Sequence, residues 1–183
     1  MTLWIGPTQA DALAALARSA APREACGLLL GRASGQITEI IAITNATAPP
    51  ERRFRMDERE LARALTSLPA SGLELLGIYH SHPASDPRPS TLDVAEWAYP
   101  EVAMVIIGLR PAPAISAWMV RYGEVTPAGL AVGAALPAEG PVWTRAAQIA
   151  VAIAIIAAVV LFLLLAFTLL PPAPQIPPTP MPR

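Results

Sequence analysis

Several residue types are absent or scarce in this 183-residue chain, and each shortage argues against a class of protein. Lysine is absent, so all 13 positive charges are arginine, and 14 acidic residues bring the net charge to -1. This balance leaves no basic surplus of the kind that binds nucleic acid. The solitary cysteine, Cys26, excludes an internal disulfide and indicates a reducing compartment. Neither a G-x-S-x-G motif nor a phosphate loop occurs, so serine-hydrolase and nucleotide-binding chemistry lack support.

Long uncharged stretches are also scarce, with one exception near the C-terminus. Residues 146–170 carry no charge and consist almost entirely of alanine, valine, leucine, isoleucine and phenylalanine. A helix of this length exceeds the ~30 Å hydrocarbon thickness of a bilayer, and core helices seldom lack a polar face over such a distance. The pattern therefore predicts a transmembrane helix over 146–170. Trp143 and Arg145 precede it, where an interfacial anchor belongs.

This helix divides the chain into segments. We expect a folded domain over 1–132, a linker over 133–145, the transmembrane helix over 146–170 and a proline-rich tail over 171–183. Nothing like a secretory signal opens the sequence, so we expect a single-pass membrane protein with its folded domain in the cytoplasm. Alanines recur every fourth residue from 146 to 158, a spacing that lets two helices pack closely. A homodimer is therefore one hypothesis, beside an alanine-rich span without a partner.

The region 1–132 mixes helical and strand patterns without strict alternation, which predicts the α+β class. Amphipathic spacing predicts helices over 7–20, 57–68 and 90–98, and apolar runs predict strands over 3–5, 24–31, 36–45, 52–56, 73–80, 102–109 and 114–121. Asp57 and Glu60 have the spacing of a capping box at the start of the second helix.

Both histidines of the chain lie at the end of the predicted strand 73–80. His80 and His82 are two residues apart, so their imidazoles project from the same face of a strand. Pro83 then ends the strand, and Asp93 lies in the first turn of the helix that Ser90 caps, pointing back towards the entering chain. Two imidazoles and one carboxylate predict a zinc site with a fourth position open, which is typical of catalytic zinc.

Two further residues complete the expected chemistry. Glu24 opens the apolar strand 24–31, where a carboxylate that is not a ligand would transfer protons, and the Ser90 hydroxyl would donate to an oxyanion. Each residue also has a simpler interpretation. A His-x-His pair is common on surface strands, Ser90 and Asp93 form an ordinary capping box, and Glu24 would serve as a solvated strand end.

The pattern H-x-H-x7-S-x2-D, formed by His80, His82, Ser90 and Asp93, resembles the signature of JAMM metalloproteases, the catalytic members of the MPN domain family. The stretch PREACGLLLG also resembles the upstream glutamate strand of that family. The resemblance covers residues 3–125. It implies a curved mixed β-sheet flanked by helices, and hydrolysis of peptide or isopeptide bonds with Zn²⁺ as the cofactor.

The resemblance also implies a role for each matching residue. His80, His82 and Asp93 would be the zinc ligands, Glu24 the general acid/base, and Ser90 the residue that stabilises the tetrahedral intermediate. The implied substrate is a protein, such as a ubiquitin-like or sulfur-carrier protein with an extended C-terminal tail. We therefore expect a membrane-tethered zinc metallopeptidase. The alternative is a membrane-anchored MPN-type binding or scaffold module that holds zinc but has little turnover.

Overall fold

A computed structural model describes residues 2–48, 53–133 and 145–169, with side chains described for 149–166 of the last range. The chain forms two compact units, Met1–Ala138 and Glu139–Arg183. The described part of the first unit contains the strands β1 (Thr2–Ile5), β2 (Cys26–Gly31), β3 (Ile37–Ile43), β4 (Glu74–His82), β5 (Ala103–Gly108), β6 (Ala114–Arg121) and β7 (Glu124–Val132). Its helices are α1 (Pro7–Ala20), α2 (Glu58–Ser71) and α3 (Thr91–Glu96).

The seven strands form one mixed sheet in the order β1-β7-β6-β5-β4-β2-β3. The β1–β7 and β4–β5 pairs are parallel, and the other neighbours are antiparallel. Strand β4 lies between β2 and β5 and is buried along most of its length, so it is a rigid platform for side chains. The α+β prediction, with a mixed sheet flanked by helices, is confirmed.

Helices cover both faces of the sheet. On one face, Leu13 and Ala17 of α1 pack with Tyr79 and Val105 of the central strands. On the other face, Leu61 and neighbouring apolar residues of α2 pack against a second cluster of buried strand residues. Helix α1 starts where sequence rules place it, since Pro7 stands in its first turn, where the missing N–H costs nothing.

The start of α2 differs from the predicted capping box. The Asp57 carboxylate accepts hydrogen bonds from the amides of Arg59 and Glu60, both at 3.0 Å, as an N-cap residue should. The Glu60 carboxylate instead accepts from the amide of Thr44 at 2.7 Å and from its hydroxyl at 3.0 Å. The Asp57 amide donates to the Thr44 carbonyl. Glu60 therefore ties α2 to the end of β3 rather than closing the cap.

The predicted set of strands needs three corrections. Residue 52 of the predicted strand 52–56 lies outside the described residues, and residues 53–55 form no strand. Met56 makes only an isolated antiparallel bridge to Asn45, because this segment bonds to the residues just after β3 and not to a strand of the sheet. Strand β2 begins at Cys26, so Glu24 precedes the strand rather than opening it. Strand β7 was not predicted, since Pro127 and a nearby glycine interrupt its apolar pattern.

The described part of the second unit is one helix, α4 (Arg145–Leu169). Its stretch Ile149–Ala166 has a mean hydropathy of 3.3, so by length and composition it is able to cross a membrane. The membrane assignment and the alanine-mediated homodimer stay predictions. The predicted tail and all of the predicted linker except Gly133 and Arg145 lie outside the described residues.

Candidate metal centre

Strand β4 carries both histidines at its C-terminal end. His80 is fully buried and His82 nearly so, and the strand directs both rings to the face that α2 covers. Their Nε2 atoms lie 3.0 Å apart. The ring of Phe54 stacks on the His80 ring with centroids 4.4 Å apart and an interplanar angle of 17°. The His80 ring is thereby held between the sheet and an aromatic side chain.

Helix α3 brings the third donor to the same point. Ser90 caps the helix: its hydroxyl accepts from the Asp93 amide at 3.1 Å, while its own amide donates to Asp93 Oδ2 at 2.6 Å. This reciprocal cap fixes the carboxylate against the histidines. Asp93 Oδ1 lies 3.4 Å from His80 Nε2, and Oδ2 lies 3.4 Å from His82 Nε2. Asp93 therefore closes the capping box of α3 and faces both histidines at the same time, so the structural and the metal-binding interpretations of this residue do not exclude each other.

The three donors have the spacing that a zinc ion needs. With metal–ligand bonds of about 2.0–2.1 Å, donors around a tetrahedral zinc are separated by roughly 3.3 Å. The observed separations of 3.0 and 3.4 Å lie close to this value, and all three donors fall within 4.8 Å of one another. Two imidazole nitrogens and one carboxylate oxygen also suit zinc chemically. His80, His82 and Asp93 therefore fit zinc as ligands.

The loop after β4 orients the second histidine. His82 Nδ1 lies 3.3 Å from the carbonyl oxygen of Asp86, a contact that leaves Nε2 free to bind a metal. The indole N–H of Trp118 donates to the carbonyl of Pro87 at 3.0 Å and so anchors this loop to β6. A β-carbon at Gly108 would lie 2.6 Å from the Pro87 nitrogen, so only glycine lets the loop approach so closely.

The charges at the centre support its use as a metal site. Burial opposes ionisation of Asp93, but hydrogen bonds from His80, His82 and Ser90 outweigh it and hold the pKa of the carboxyl well below its usual range. Burial lowers the pKa of His80, against the opposing effect of Asp93. Burial also opposes protonation of His82, but Asp93 and the charge of Glu24 raise its pKa overall. The carboxylate is thus ionised and His80 is neutral, as ligands must be, whereas the raised pKa of His82 means that a metal has to displace a proton there.

Glu24 lies beside this centre in an unusual state. It is 5% exposed, and its Oε2 atom has no hydrogen-bond partner among the described residues. Burial raises its pKa to about 7, and the nearby Asp93 charge acts in the same direction against the opposing effect of His82. A buried carboxyl that titrates near neutrality is suited to transfer protons.

Cys26 occupies the same face of the sheet but has a different character. It pairs with His80 across the β2–β4 ladder, and its thiol donates to the carbonyl of Ile43 at 3.4 Å. Burial raises the pKa of this thiol to about 12, so it stays protonated at neutral pH. It is a small buried side chain rather than a nucleophile or a metal ligand.

A cavity of about 770 Å³ opens next to Asp93. One wall is formed by residues 46–48 and 53–56, and the other by α3 and the residues that follow it. The Arg53 guanidinium forms a two-bond ion pair with the Glu96 carboxylate that joins the walls. The aromatic side chains of Phe54, Trp97 and Tyr99 line the cavity, so it is a mostly apolar groove, and Asp93 is the one metal donor that lines it.

Sequence reasoning missed two buried polar residues at this centre. Asn45 donates to the Glu24 carbonyl at 3.1 Å, and Ser81 accepts from the Ala25 amide at 2.8 Å. Ser81 stands between the two histidines, and Asn45 is the only asparagine of the chain. The position of Ser81 and the rarity of asparagine could have drawn attention to these residues. Their hydrogen-bond partners, however, depend on how the strands pair.

Comparison with known proteins agrees with this architecture. Residues 8–121 match the family described as prokaryotic homologs of the JAB domain. A desampylase from Haloferax volcanii is 33% identical over 46% of this chain and 62% of its own length. A probable TtuB-protein conjugate cleaving protease from Thermus thermophilus is 37% identical over 49% of this chain and 61% of its own length.

A solved structure covers more of the molecule. The solution structure of a protein from Desulfitobacterium hafniense aligns with a TM-score of 0.67 and 29% identity, covering 75% of this chain and 97% of that chain. By contrast, the chain spans only about three fifths of the length of the desampylase and of the conjugate cleaving protease. Because the family match extends over more than half of the residues, the chain belongs to the prokaryotic JAB-domain family.

Proposed function

We propose that this chain is a membrane-tethered zinc metallopeptidase that hydrolyses peptide or isopeptide bonds at the C-terminal tails of ubiquitin-like or sulfur-carrier proteins. One observation carries the proposal: three buried donors converge at zinc spacing beside a buried glutamate that has an unpartnered carboxyl oxygen. A purely structural zinc site would close its fourth position with a protein ligand and would need no such glutamate.

The protein groups divide the work of hydrolysis. His80, His82 and Asp93 would hold the zinc ion, which when bound supplies Lewis-acid chemistry and lowers the pKa of water from 15.7 to about 7. Glu24 takes the proton from the attacking water and delivers it to the leaving amine, a dual role that a pKa of about 7 permits. Because the Ser90 hydroxyl accepts from the Asp93 amide, its own hydrogen is available to a developing oxyanion.

The substrate proposal rests on the groove and on the relatives. The names of two relatives describe a desampylase and a protease that cleaves protein conjugates, so a protein substrate is the natural choice for this chain. An extended tail would lie in the groove between residues 53–56 and α3, which brings its scissile carbonyl towards Asp93, and the Arg53–Glu96 ion pair would have to open to admit it. Glycines next to the scissile bond would allow the close approach that a narrow site demands.

The tether defines where the enzyme acts. Helix α4 is long and apolar enough to span the bilayer, and the buried reduced Cys26 is consistent with a cytoplasmic catalytic domain. We place hydrolysis at the cytoplasmic face of the membrane, on substrates that reach that surface.

The test uses the full chain in detergent, loaded with zinc, and fusions that carry a ubiquitin-like or sulfur-carrier tail. We expect one zinc per chain and release of the tail. Glu24→Gln should keep the zinc and lower turnover by at least about 100-fold, as loss of a general base does. His80→Ala should lose both zinc and turnover.

The scaffold alternative predicts a different result. A wild-type chain that binds one zinc and binds the fusion tightly, yet releases no product, would favour a binding module. Full activity of the Glu24→Gln chain would refute the assignment of the base.

A further inference from the structure

One peptide group next to the site is held by side chains at both of its polar atoms. The carbonyl oxygen of Glu24 accepts a hydrogen bond from Asn45 Nδ2 at 3.1 Å. The amide of Ala25, which belongs to the same peptide group, donates to Ser81 Oγ at 2.8 Å. The peptide lies just before β2, where the regular pairing of that strand has not yet begun.

Both side chains that hold this peptide are themselves fixed. Ser81 is fully buried in β4, and its amide also donates to the Ala25 carbonyl at 2.9 Å. Asn45 is 9% exposed and uses its entire hydrogen-bonding capacity. Besides the Glu24 carbonyl, its amide group bonds the Arg53 carbonyl and accepts from the amides of Thr47 and Arg55.

The Glu24 side chain needs such support from its backbone. Its Oε2 atom is buried without a hydrogen-bond partner, so no bond at that atom fixes where the carboxyl points. A proton-transfer group misplaced by about 1 Å can lose about 10²-fold in rate. We propose that Asn45 and Ser81 are positioning residues that clamp the Glu24–Ala25 peptide and thereby aim the Glu24 carboxyl at the metal ligands. The inference rests on the proposed function, in which Glu24 is the general base.

A rival explanation is that Ser81 positions the histidines on either side of it. The geometry argues against this, because alternation along β4 sends the Ser81 side chain to the face opposite the His80 and His82 rings. Its hydroxyl instead accepts a hydrogen bond from the Ala25 amide, just before β2. Asn45, which comes from the end of β3, reaches the same peptide from another element, so the two residues should give the same phenotype.

The experiment compares Ser81→Ala and Asn45→Asp in the full zinc-loaded chain in detergent. Asn45→Asp keeps an oxygen for the amides of Thr47 and Arg55 but removes the donor to the carbonyls of Glu24 and Arg53. We expect either change to lower kcat by about 10- to 100-fold, the usual cost of losing an orienting partner, with KM and zinc affinity unchanged. Ser81→Thr, which keeps a hydroxyl, should restore the rate. Ile37→Val, a mild core change in β3 opposite the far end of β2, is the stability control.

The Glu24→Gln background separates positioning from general damage. If Ser81 and Asn45 act through Glu24, neither change should lower the residual rate of the Glu24→Gln chain further. Additive losses, or a fall in zinc affinity for Ser81→Ala, would overturn the proposal.

A readout without turnover keeps the inference distinct from the proposed function. Amide hydrogen exchange of Ala25 in the metal-free chain should be much faster in Ser81→Ala than in the wild type or in Ile37→Val. Unchanged exchange of this amide would show that no clamp exists, whether or not the chain is a peptidase. Faster exchange in a chain that cleaves no substrate would leave the clamp supported and the proposed function refuted.

Discussion

At the scale of single residues, Glu24, the proposed proton-transfer group, carries a cost in stability. Burial raises its pKa from 4.5 to about 7, so the folded state resists ionisation of this carboxyl. The sign follows from linkage: the contribution of Glu24 to stability is complete below pH 4.5 and is lost as the pH rises to about 7. A buried acid with this behaviour is typical of functional sites, where stability is given up for chemistry.

The Glu24→Gln variant tests this cost directly. In the metal-free chain we expect the variant to match the wild type near pH 4 and to be more stable by about 1–3 kcal/mol near pH 8, since glutamine cannot ionise. Thermal unfolding across this pH range measures the difference. A gap between the two proteins that does not grow with pH would contradict the raised pKa.

The site residues differ in how far the sequence predicts them. His80, His82, Ser90 and Asp93 follow from short-range rules, because strand alternation and a helix cap need only local spacing. The partners of Ser81 and Asn45 are not local. Ser81 bonds a residue 56 positions away, and Asn45 bonds one 21 positions away. Such pairs are set by the register of β2 and β4 and by the end of β3, which no single stretch of sequence encodes.

At the scale of elements, the loop after β4 is as important as the strand. Residues 83–89 place the Asp86 carbonyl on His82, and Trp118 of β6 holds that loop through the Pro87 carbonyl. The metal site is thus completed by two strands and a loop rather than by its three ligands alone.

Removal of the indole N–H tests the role of this loop. We expect Trp118→Phe to weaken zinc binding by about 10-fold, because the His82 ring loses part of its orientation. Competition with a chelator measures the affinity in the full chain. Trp4→Phe, a matching change in the edge strand β1, which is separated from β4 by three strands, should leave the affinity at the wild-type value. Equal affinities in all three proteins would show that the loop needs no anchor.

The sequence predicted helices and strands correctly where a buried element also has a regular apolar or amphipathic pattern. Strands β5 and β6 and helix α1 lie within a residue or two of their predicted bounds, because each is a regular apolar run or amphipathic pattern. The segment 53–56 alternates arginine with Phe54 and Met56, which is a strand pattern, yet it forms a wall of the groove and not a strand of the sheet. Its path is set by Asn45 and by the packing of Phe54 on His80, which are tertiary contacts that override local propensity.

At the scale of the whole molecule, the described residues of the chain comprise a JAB-family unit and one apolar helix. Every described side chain of α4 from residue 149 to 166 is exposed, including isoleucine, leucine and phenylalanine. An apolar surface of that size is not tolerated in water. Insertion into a bilayer, as we propose, would remove this surface from water and would also concentrate the proposed enzyme near substrates at the membrane surface.

Arginines at the centre of α4 test the tether. Each arginine at the middle of a spanning helix costs about 2.5–3.5 kcal/mol on insertion scales, so Ile156→Arg combined with Val160→Arg should abolish stable insertion. We expect the wild type to stay with membranes after alkaline carbonate extraction and the double variant to be released. Ala150→Arg, nearer the end of the helix, can extend its charge to the interface and should remain membrane-bound. Zinc binding should persist in the released protein, because the ligands lie in the other unit. Release of the wild type by carbonate would instead mean that α4 packs against protein and that the catalytic unit works without a membrane.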